Sequence, residues 1–484
     1  MKLKFYGGVG TATGANMVLE CSGKKIMVDC GLLQGLRKDE DKNFEDFAYD
    51  PKTIDFLLVT HAHMDHIGKI PKLVRDGFRG KIFSTLETKE LALPMLQDEL
   101  KVMRMRHKDK VLFDENDLEN TLSLWEGRRY AEKVELFEDC SFNMINAGHI
   151  LGSAIIVLSP PSPLLPQEGG PNKKIRIAFT GDLGNSPSPL LPDTEIPKDI
   201  DYLVMESVYG DRNHESREER RGKLKQAILD GIKRGGTMVI PTFSIERTQV
   251  ILYELNNMIE DGEIPQIPVF LDSPLALKVT NIYKKYADDF KDSVREEIKK
   301  GDEIFDFPGL QIVDRSIDSK NLEKTESGAK IILAGSGMSE GGRVVSHEAH
   351  YLPDPKATII LVGYQSIGSL GRKIEDGRPT LTLPEGEGKK EIKVRAKIEA
   401  IKGYSSHKDS EHLLEFVEKT AENNSPLTPL LLQERGTRQE TRKLKKVFCI
   451  MGEPKSSLFL CQRIRDYLDI EAVYPEVGKE YELF

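Results

Sequence analysis

The feature that most constrains this chain is the run HAHMDH at residues 61–66, which follows the apolar segment DFLLVT. Such a segment predicts a buried strand that ends in a tight loop. Imidazole nitrogens and carboxylate oxygens are ligands that Zn²⁺ binds at ~2.0–2.2 Å. Alternation along the loop would point His61 and His63 toward one ion, and Asp65 and His66 toward a second. The alternative is a polar turn with hydrogen-bonded histidines, and four ligand-type residues at this spacing disfavour it.

Three further positions carry the same ligand types at predicted strand ends. His149 lies in NAGHILGSA, Asp182 in IAFTGDLG and His407 in KGYSSHKDS. Each position alone is a weak signal, because Gly-Asp turns are common. Together they supply the additional ligands that a two-metal site needs.

The apolar pattern predicts an α/β chain that is interrupted by a second α/β domain. Short strands are predicted in residues 1–60, and strands alternate with amphipathic helices from about residue 200. This alternation indicates a largely parallel sheet. The Pro-rich segments at 159–174, 187–192 and 429–436 share PLLP-like or PLLL-like pieces, and we interpret them as tolerated surface insertions.

Composition excludes few function classes. The net charge of -9 neither supports nor excludes a nucleic-acid substrate, which would need a locally positive cleft. No apolar run approaches the ~20 residues that span a bilayer, and the start of the chain lacks the apolar core of a signal peptide. We therefore expect a cytoplasmic protein with no membrane association. The 5 cysteines form no CxxC pair and are predicted to be buried thiols.

The ligand pattern resembles the metallo-β-lactamase fold, which implies an α/β architecture, the four-layer αββα sandwich, with metals at the sheet ends. The resemblance implies two Zn²⁺ per chain. One would be held by His61, His63 and His149, the other by Asp65, His66 and His407, and Asp182 would bridge both. Asp29, in VDCG, matches the family's first motif and implies support for the ligand loop.

More than two hundred residues separate Asp182 from His407, and this insertion resembles that of the β-CASP nucleases. MESVYGDRNH resembles their motif A, with Glu206 as its acid, and GYSSHKD resembles motif C. PTFSIERTQ, LDSPLA, AGSGMSEGGR and GYQSIGSLGRKI match in kind and order. The resemblance implies a metallo-β-lactamase domain in two parts, 1–207 and 386–484, the second carrying the RNA-metabolising motif, around a β-CASP domain at 208–385.

A nucleic-acid strand needs phosphate contacts in addition to metals. Candidates from the inserted domain are Arg247, Ser336, Gly337, Arg343, Arg372 and Lys373. Arginine can hold phosphate in forked hydrogen bonds, and the amides of a Gly-rich loop can form an anion nest. A surface ion pair is the alternative for each arginine, and a tight structural turn is the alternative for the loop. Lys373 stands where eukaryotic members carry histidine, which leaves open the group that protonates the leaving oxygen.

The resemblance implies a zinc-dependent ribonuclease that cuts single-stranded RNA with a water activated by both metals. Asp65, Asp182, Glu206 and His407 would be its catalytic residues. We expect endonuclease activity, with 5′-to-3′ exonuclease activity in addition, and a homodimer, as in relatives. Two alternatives are an inactive scaffold subunit, which the complete ligand set disfavours, and a small ester or thioester hydrolase, which the long insertion disfavours.

Overall fold

The apolar segments of the sequence form strands of three large sheets in the computed structural model, which describes residues 1–35, 40–107, 110–161, 175–323, 328–366, 368–385, 388–423 and 444–484. These strands belong to two units. Unit 1 comprises Met1–Ser188, Asp193–Asn213 and His407–Phe484, and unit 2 comprises Pro189–Pro192 and His214–Ser406. The domain limits at 207/208 and 385/386 stay predictions.

The first sheet of unit 1 has seven strands. They are β1 (Lys2–Gly7), β2 (Asn16–Cys21), β3 (Lys24–Cys30), β4 (Phe56–Leu58), β5 (Lys81–Thr85), β6 (Trp125–Arg128) and β22 (Glu480–Glu482). Their spatial order is β22-β1-β2-β3-β4-β5-β6. Pairing is antiparallel from β22 to β3 and parallel from β3 to β6.

The second sheet of unit 1 also has seven strands. They are β7 (Val134–Phe137), β8 (Cys140–Asn146), β9 (Ala154–Ser159), β10 (Ile177–Phe179), β11 (Tyr202–Glu206), β20 (Lys446–Ile450) and β21 (Glu471–Val473). Their spatial order is β21-β20-β11-β10-β9-β8-β7, so β10 is the central strand.

Strands of the second sheet are apolar on both faces, because each face packs against a different layer. In β9, Ile156 lies in the core shared with the first sheet, whereas Ile155 and Val157 lie in a core with helical residues such as Phe416 and Leu460. This explains the continuous apolar runs of the sequence. In the parts of unit 1 that the structure describes, the α-helices are Met64–Ile67, Ile70–Arg75, Leu86–His107, Glu115–Leu124, Ser410–Glu422 and Pro454–Leu468. The predicted αββα sandwich is confirmed.

Unit 2 contains a six-stranded sheet in which every neighbouring pair is parallel. Its strands are β12 (Thr237–Pro241), β13 (Val269–Asp272), β14 (Leu310–Ile312), β15 (Lys330–Ala334), β16 (Thr358–Leu361) and β19 (Lys397–Ala400), in the order β14-β13-β15-β12-β16-β19. A hairpin of β17 (Thr380–Glu385) and β18 (Gly388–Lys393) precedes β19. The predicted parallel α/β insertion is therefore confirmed.

Among the described residues of unit 2, the α-helices are Arg217–Arg234, Arg247–Glu260, Pro274–Lys285, Asp292–Lys299, Ser316–Leu322, Arg343–Tyr351 and Leu370–Glu375. In the first of them, Ser216 and Glu219 form a capping box, and Gly235 ends the helix at φ 65°. Glycine is favoured at this position because the backbone there is in the left-handed conformation.

One sequence interpretation is wrong for the segment PSPLLP at 187–192. Leu190 is 0% exposed and Leu191 is 3% exposed, and the amide of Lys291 donates to the carbonyl of Leu190 at 3.0 Å. Two buried leucines make this segment part of a packed core and not a tolerated surface insertion. The other two Pro-rich segments lie largely or wholly outside the described residues.

Two expectations that came from composition, on the cysteines and on membrane-spanning segments, can be compared with the structure. All 5 cysteines are buried free thiols, as predicted. Within the described part of the chain, no helix has the length and apolar character needed to cross a bilayer.

Two leucines of helix Pro454–Leu468 give a matched test of this packing. Leu460 is 0% exposed and Leu458 is 50% exposed. We expect Leu460→Ala to lower the free energy of unfolding by about 2–5 kcal/mol, because it leaves a cavity. Leu458→Ala makes the same chemical change on the surface and should cost less than about 0.5 kcal/mol. Urea unfolding of both variants measures the difference, and equal losses would contradict the described packing.

Candidate metal centre

The residues that sequence analysis predicted as metal ligands all belong to unit 1, where they lie in loops or at the start of a short helix. His61 comes shortly after β4, and His63 precedes helix Met64–Ile67, whose first turn carries Asp65 and His66. His149 follows β8, Asp182 follows β10, and His407 precedes helix Ser410–Glu422. The sequence places them there because buried strands end abruptly in polar residues.

The backbone around the ligand loop is packed closely. The amide of Ala15 donates to the carbonyl of Asp65 at 2.9 Å. A Cβ atom on Gly31 would lie 1.5 Å from that same carbonyl oxygen, so only glycine fits there. The close approach fixes the helical turn that carries Asp65 and His66.

Four side chains form the first ligand group. Nε2 of His61 and Nε2 of His149 lie 3.1 and 3.2 Å from Nδ1 of His63. Oδ2 of Asp182 lies 3.3 Å from Nε2 of His61 and 3.5 Å from Nε2 of His149. Two ligands of a tetrahedral zinc ion with Zn–N of ~2.0–2.1 Å are about 3.3 Å apart. The group therefore fits a divalent ion without rearrangement.

Asp65, His66 and Asp182 form the second group. Nε2 of His66 lies 3.7 Å from Oδ2 of Asp65 and 3.4 Å from Oδ1 of Asp182. Within the described parts of the chain, Nε2 of His66 and Oδ1 of Asp182 are buried and have no hydrogen-bond partner. Unpaired buried polar atoms are costly. A cation between them would satisfy both.

His407 belongs to a third group, with Asp182 and Glu206. Its Nδ1 lies 3.0 and 3.2 Å from the two carboxylate oxygens of Glu206. Sequence analysis expected it to share an ion with Asp65 and His66, and that shared ion stays a prediction. Asp182 is common to all three groups.

The histidines of the first group favour their neutral form. Burial and neighbouring imidazoles lower the pKa of His61, and hold the pKa values of His63 and His149 well below the ordinary value. Their lone pairs are therefore available to a metal at neutral pH. Although burial opposes its charge, the surrounding imidazoles hold the pKa of Asp182 well below its ordinary value, so it is ionised.

Carboxylates behind the ligands orient their rings. Oδ2 of Asp29 lies 2.7 Å from Nδ1 of His66, and Asp29 also accepts bonds from the amide and the hydroxyl of Thr60 at 2.8 Å each. Glu206 accepts the amide proton of Leu183 at 2.6 Å while it faces His407. Sequence analysis missed Thr60, whose signal is its place directly before His61. Such partners fix which ring nitrogen faces a metal.

The predicted substrate contacts lie in unit 2, and several have partners within that unit. Nη1 of Arg343 donates to Asp272 at 2.6 Å and to the carbonyl of Val313 at 2.8 Å. Nη2 donates to the carbonyl of Asp314 at 2.6 Å. These bonds are those of a structural ion pair, which was the alternative for this arginine, and its substrate contact stays a prediction.

The other cationic candidates differ in exposure. Arg247 is 6% exposed, lies 6.0 Å from the ring centroid of Tyr404 and donates to the hydroxyl of Ser406 at 3.2 Å. Arg372 pairs with Asp376 at 2.8 Å, and Lys373 lies half-buried beside it on helix Leu370–Glu375. The structure thus gives Arg247 a buried packing role and leaves Arg372 and Lys373 at a partly exposed helix.

The Gly-rich loop 334–343 is held by one hydrogen bond within the loop and by two to residues outside it. The amide of Ser336 donates to the carbonyl of Gly341 at 3.2 Å, and the carbonyl of Gly337 accepts from the side chain of Gln365 at 3.0 Å. The hydroxyl of Ser339 donates to Glu348 at 2.5 Å. Glu348 is fully buried, and burial raises its pKa to about 8.

Comparison with known families and curated proteins identifies proteins that are similar to this chain. Residues 18–162 match the metallo-beta-lactamase superfamily domain, and residues 248–374 match the Beta-Casp domain. Ribonuclease TTHA0252 of Thermus thermophilus is 33% identical over 94% of this chain and 98% of its own length. An RNase J-like protein of Methanocaldococcus jannaschii is 31% identical over 86% of this chain and 89% of its own length.

Two further similarities are more limited. Transcription termination factor FttA of Pyrococcus horikoshii is 31% identical over 87% of this chain, which spans only 64% of that relative. A crystal structure of a protein of unknown function from Enterococcus faecalis V583 matches with a TM-score of 0.53 at 12% identity, and covers 100% of this chain and 99% of its own. That likeness concerns the fold alone. The metallo-beta-lactamase match implies a divalent metal, which the ligand groups fit.

Asp29→Asn tests the carboxylate behind His66. Asp29 has φ 58°, a conformation that asparagine tolerates, so the backbone should stay in place. Asparagine has one oxygen for the three groups that Asp29 serves and carries no negative charge behind His66, so we expect divalent-metal affinity to fall by about 10–100-fold. Calorimetric titration with metal measures the change, with Asp55→Asn, a half-buried surface carboxylate of the same unit, as control. Unchanged affinity would show that Asp29 does not support the ligand.

Glu348→Gln tests the buried carboxyl of unit 2. The folded protein holds this proton more tightly than the unfolded chain, whose glutamate has a pKa of 4.5. Stability contributed by the proton is therefore lost as pH rises from about 4.5 to about 8. We expect the variant to gain at least about 1.4 kcal/mol in free energy of unfolding relative to the parent between pH 5 and pH 9. Urea unfolding measures this, and the exposed Glu303→Gln should leave the parent's pH dependence unaltered.

Proposed function

Because this chain belongs to the β-CASP ribonucleases of the metallo-β-lactamase superfamily, we propose that it hydrolyses single-stranded RNA with two zinc ions. The observation that carries the proposal is the pair of ligand groups that share Asp182. Two divalent ions held by one carboxylate are the arrangement that phosphodiester hydrolysis uses. We further propose endonuclease cleavage, with 5′-to-3′ exonuclease activity in addition.

His61, His63 and His149 would hold one ion, Asp65 and His66 the other, and Asp182 both. When bound, two such ions lower the pKa of a shared water and neutralise charge on phosphoryl oxygens. His407, which is grouped with Asp182, would complete the set of metal ligands. The nitrogen and oxygen ligands suit zinc, and the charge of the ionised Asp182 serves both groups.

The chain's own proton-holding pair is Glu206 and His407. Burial lowers the pKa of His407, but the charges of Glu206 and Asp182 outweigh burial and raise this pKa to about 9. Nδ1 of His407 therefore keeps a proton that it donates to Glu206, whose place is fixed by the amide of Leu183. Glu206 thereby orients the ring of His407, which turns its Nε2 away from Glu206. We propose that Glu206 acts through His407.

The substrate contacts, the homodimer and the cytoplasmic location stay predictions. Among the phosphate-binding candidates, Arg372 and Lys373 are exposed enough to contact an RNA strand, whereas Arg247 is buried. An inactive scaffold subunit is the second candidate function, but every ligand position that the resemblance names carries a ligand-type side chain.

His63→Ala separates these functions. We expect it to reduce cleavage of single-stranded RNA by more than about 100-fold, because a ligand loss should exceed the effect of losing its supporting partner. His412→Ala is the matched control, since His412 is a half-exposed histidine outside the three groups. Gel analysis of labelled RNA measures cleavage, and the products should carry a 5′-phosphate and a 3′-hydroxyl.

The same assay contains the outcomes that contradict the proposal. Single-stranded DNA and a thioester are incubated in parallel, and zinc content is measured. Thioester turnover with intact RNA would exclude the nuclease. Zinc content near zero with no turnover of any substrate would favour the scaffold.

A further inference from the structure

Two of the loops that carry candidate metal ligands lie directly against each other in unit 1. The loop after β8 carries His149, and the loop after β10 carries Asp182. The amide of Gly184 donates to the carbonyl of Ala147 at 2.8 Å. A Cβ atom on Gly184 would lie 1.9 Å from the carbonyl oxygen of Gly148, so the two backbones are as close as glycine permits. The spacing of the two ligands therefore depends on how these loops are held together.

Thr194 is a half-buried residue that lies beside both loops. Its hydroxyl oxygen is 2.9 Å from the carbonyl oxygen of Ala147 and 3.3 Å from that of Gly184. Ala147 is two residues before His149, and Gly184 is two residues after Asp182. The hydroxyl of Thr194 therefore donates its hydrogen at the point where the two ligand loops meet.

The residues on either side of Thr194 hold it against the end of β8. The amide of Asn146 donates to a carboxylate oxygen of Glu195 at 3.0 Å, and the amide of Glu195 donates to the carbonyl of Asn146 at 2.9 Å. Nδ2 of Asn146 donates to the carbonyl of Asp193 at 3.3 Å. These bonds fix the backbone before and after Thr194, so its hydroxyl has a defined position.

The hydroxyl of Thr194 matters because its acceptor is buried. Ala147 is 0% exposed, and its carbonyl accepts one bond from Gly184 and one from Thr194. Loss of the hydroxyl would leave Gly184 as the partner of this carbonyl and weaken the junction. Nε2 of His149 and Oδ2 of Asp182 are 3.5 Å apart, and ligands of one ion must keep their positions within about 0.5 Å.

We propose that Thr194 is a positioning residue of the metal centre. Its hydroxyl holds the loop of His149 against the loop of Asp182, and thereby sets the spacing of these two ligands. Thr194 acts through two backbone carbonyls, and this role rests on the proposed binding of metal by both loops. The alternative is a loop contact that adds stability and leaves the ligands where they are.

Zinc affinity of the full chain tests the proposal. Metal is removed, and zinc binding is measured by competition with a coloured chelator. Thr194→Val keeps the shape of the side chain without its hydroxyl, and we expect it to bind zinc about 3–10-fold more weakly, the factor that one net hydrogen bond contributes. Thr194→Ala should show the same loss, whereas Thr194→Ser restores the hydroxyl and should bind as tightly as the parent.

The spectrum of bound cobalt separates positioning from stability alone. Co²⁺ accepts the same nitrogen and oxygen ligands, and its visible bands depend on coordination geometry. We expect the bands to shift in Thr194→Val and to match the parent in Thr194→Ser. Thr121→Val is the matched control, because the hydroxyl of buried Thr121 donates to the carbonyl of Asp117 within helix Glu115–Leu124. It should leave the zinc affinity and the cobalt bands unchanged.

Three outcomes would contradict these proposals. Unchanged zinc affinity in folded Thr194→Val, or an equal loss of affinity in Thr194→Ser, would overturn the role of the hydroxyl. A parent chain that binds no divalent metal would contradict the proposed function and this role together. Metal binding by the parent without cleavage of RNA would contradict the proposed function alone, because none of these measurements contains RNA.

Discussion

The buried carboxylate of Asp182 is the interaction on which the metal centre depends. Its Oδ2 faces His61 and its Oδ1 faces His66, so one side chain serves two ligand groups. A buried charge is costly unless other groups neutralise it, and here the neutralising groups come from loops far apart in the chain. The central strand β10 places this carboxylate, because both of its faces are packed. The sandwich thus fixes the position of the one aspartate that serves both ligand groups.

Much of unit 1 could be predicted from the sequence because its signals are local. Strands buried on both faces leave continuous apolar runs, and those runs end at ligand residues such as His61 and Asp182. The grouping of His407 with Glu206 could not be predicted in this way, since the two are 201 residues apart and meet only in the folded chain. Thr60 was missed for a related reason, because a threonine beside a ligand has no distinctive pattern until its hydroxyl is seen against Asp29.

Unit 2 shows where residue type alone misleads. An arginine in a Gly-rich loop suits a phosphate, yet Arg343 donates to Asp272, 71 residues earlier in the chain. A local sequence pattern does not show that the carboxylate of Asp272 lies beside Arg343, and this carboxylate decides between a phosphate contact and an ion pair. The start and end of helix Arg217–Arg234 have local causes, because Ser216 caps its first turn and Gly235 follows its last turn. Histidines such as His347 had no assigned role, since burial on an amphipathic helix gives no sequence signal of its own.

The short segment that contains Leu190 bears on how such a two-unit chain can be inherited. The polypeptide passes from one unit to the other four times, at 188/189, 192/193, 213/214 and 406/407. A recombination event that moved only residues 214–406 into another host would leave behind the backbone carbonyl to which Lys291 donates. Residues 214–406 alone would also lack the two leucines, Leu190 and Leu191, that are buried here, so a transferred unit 2 would need an equivalent tetrapeptide to keep these contacts.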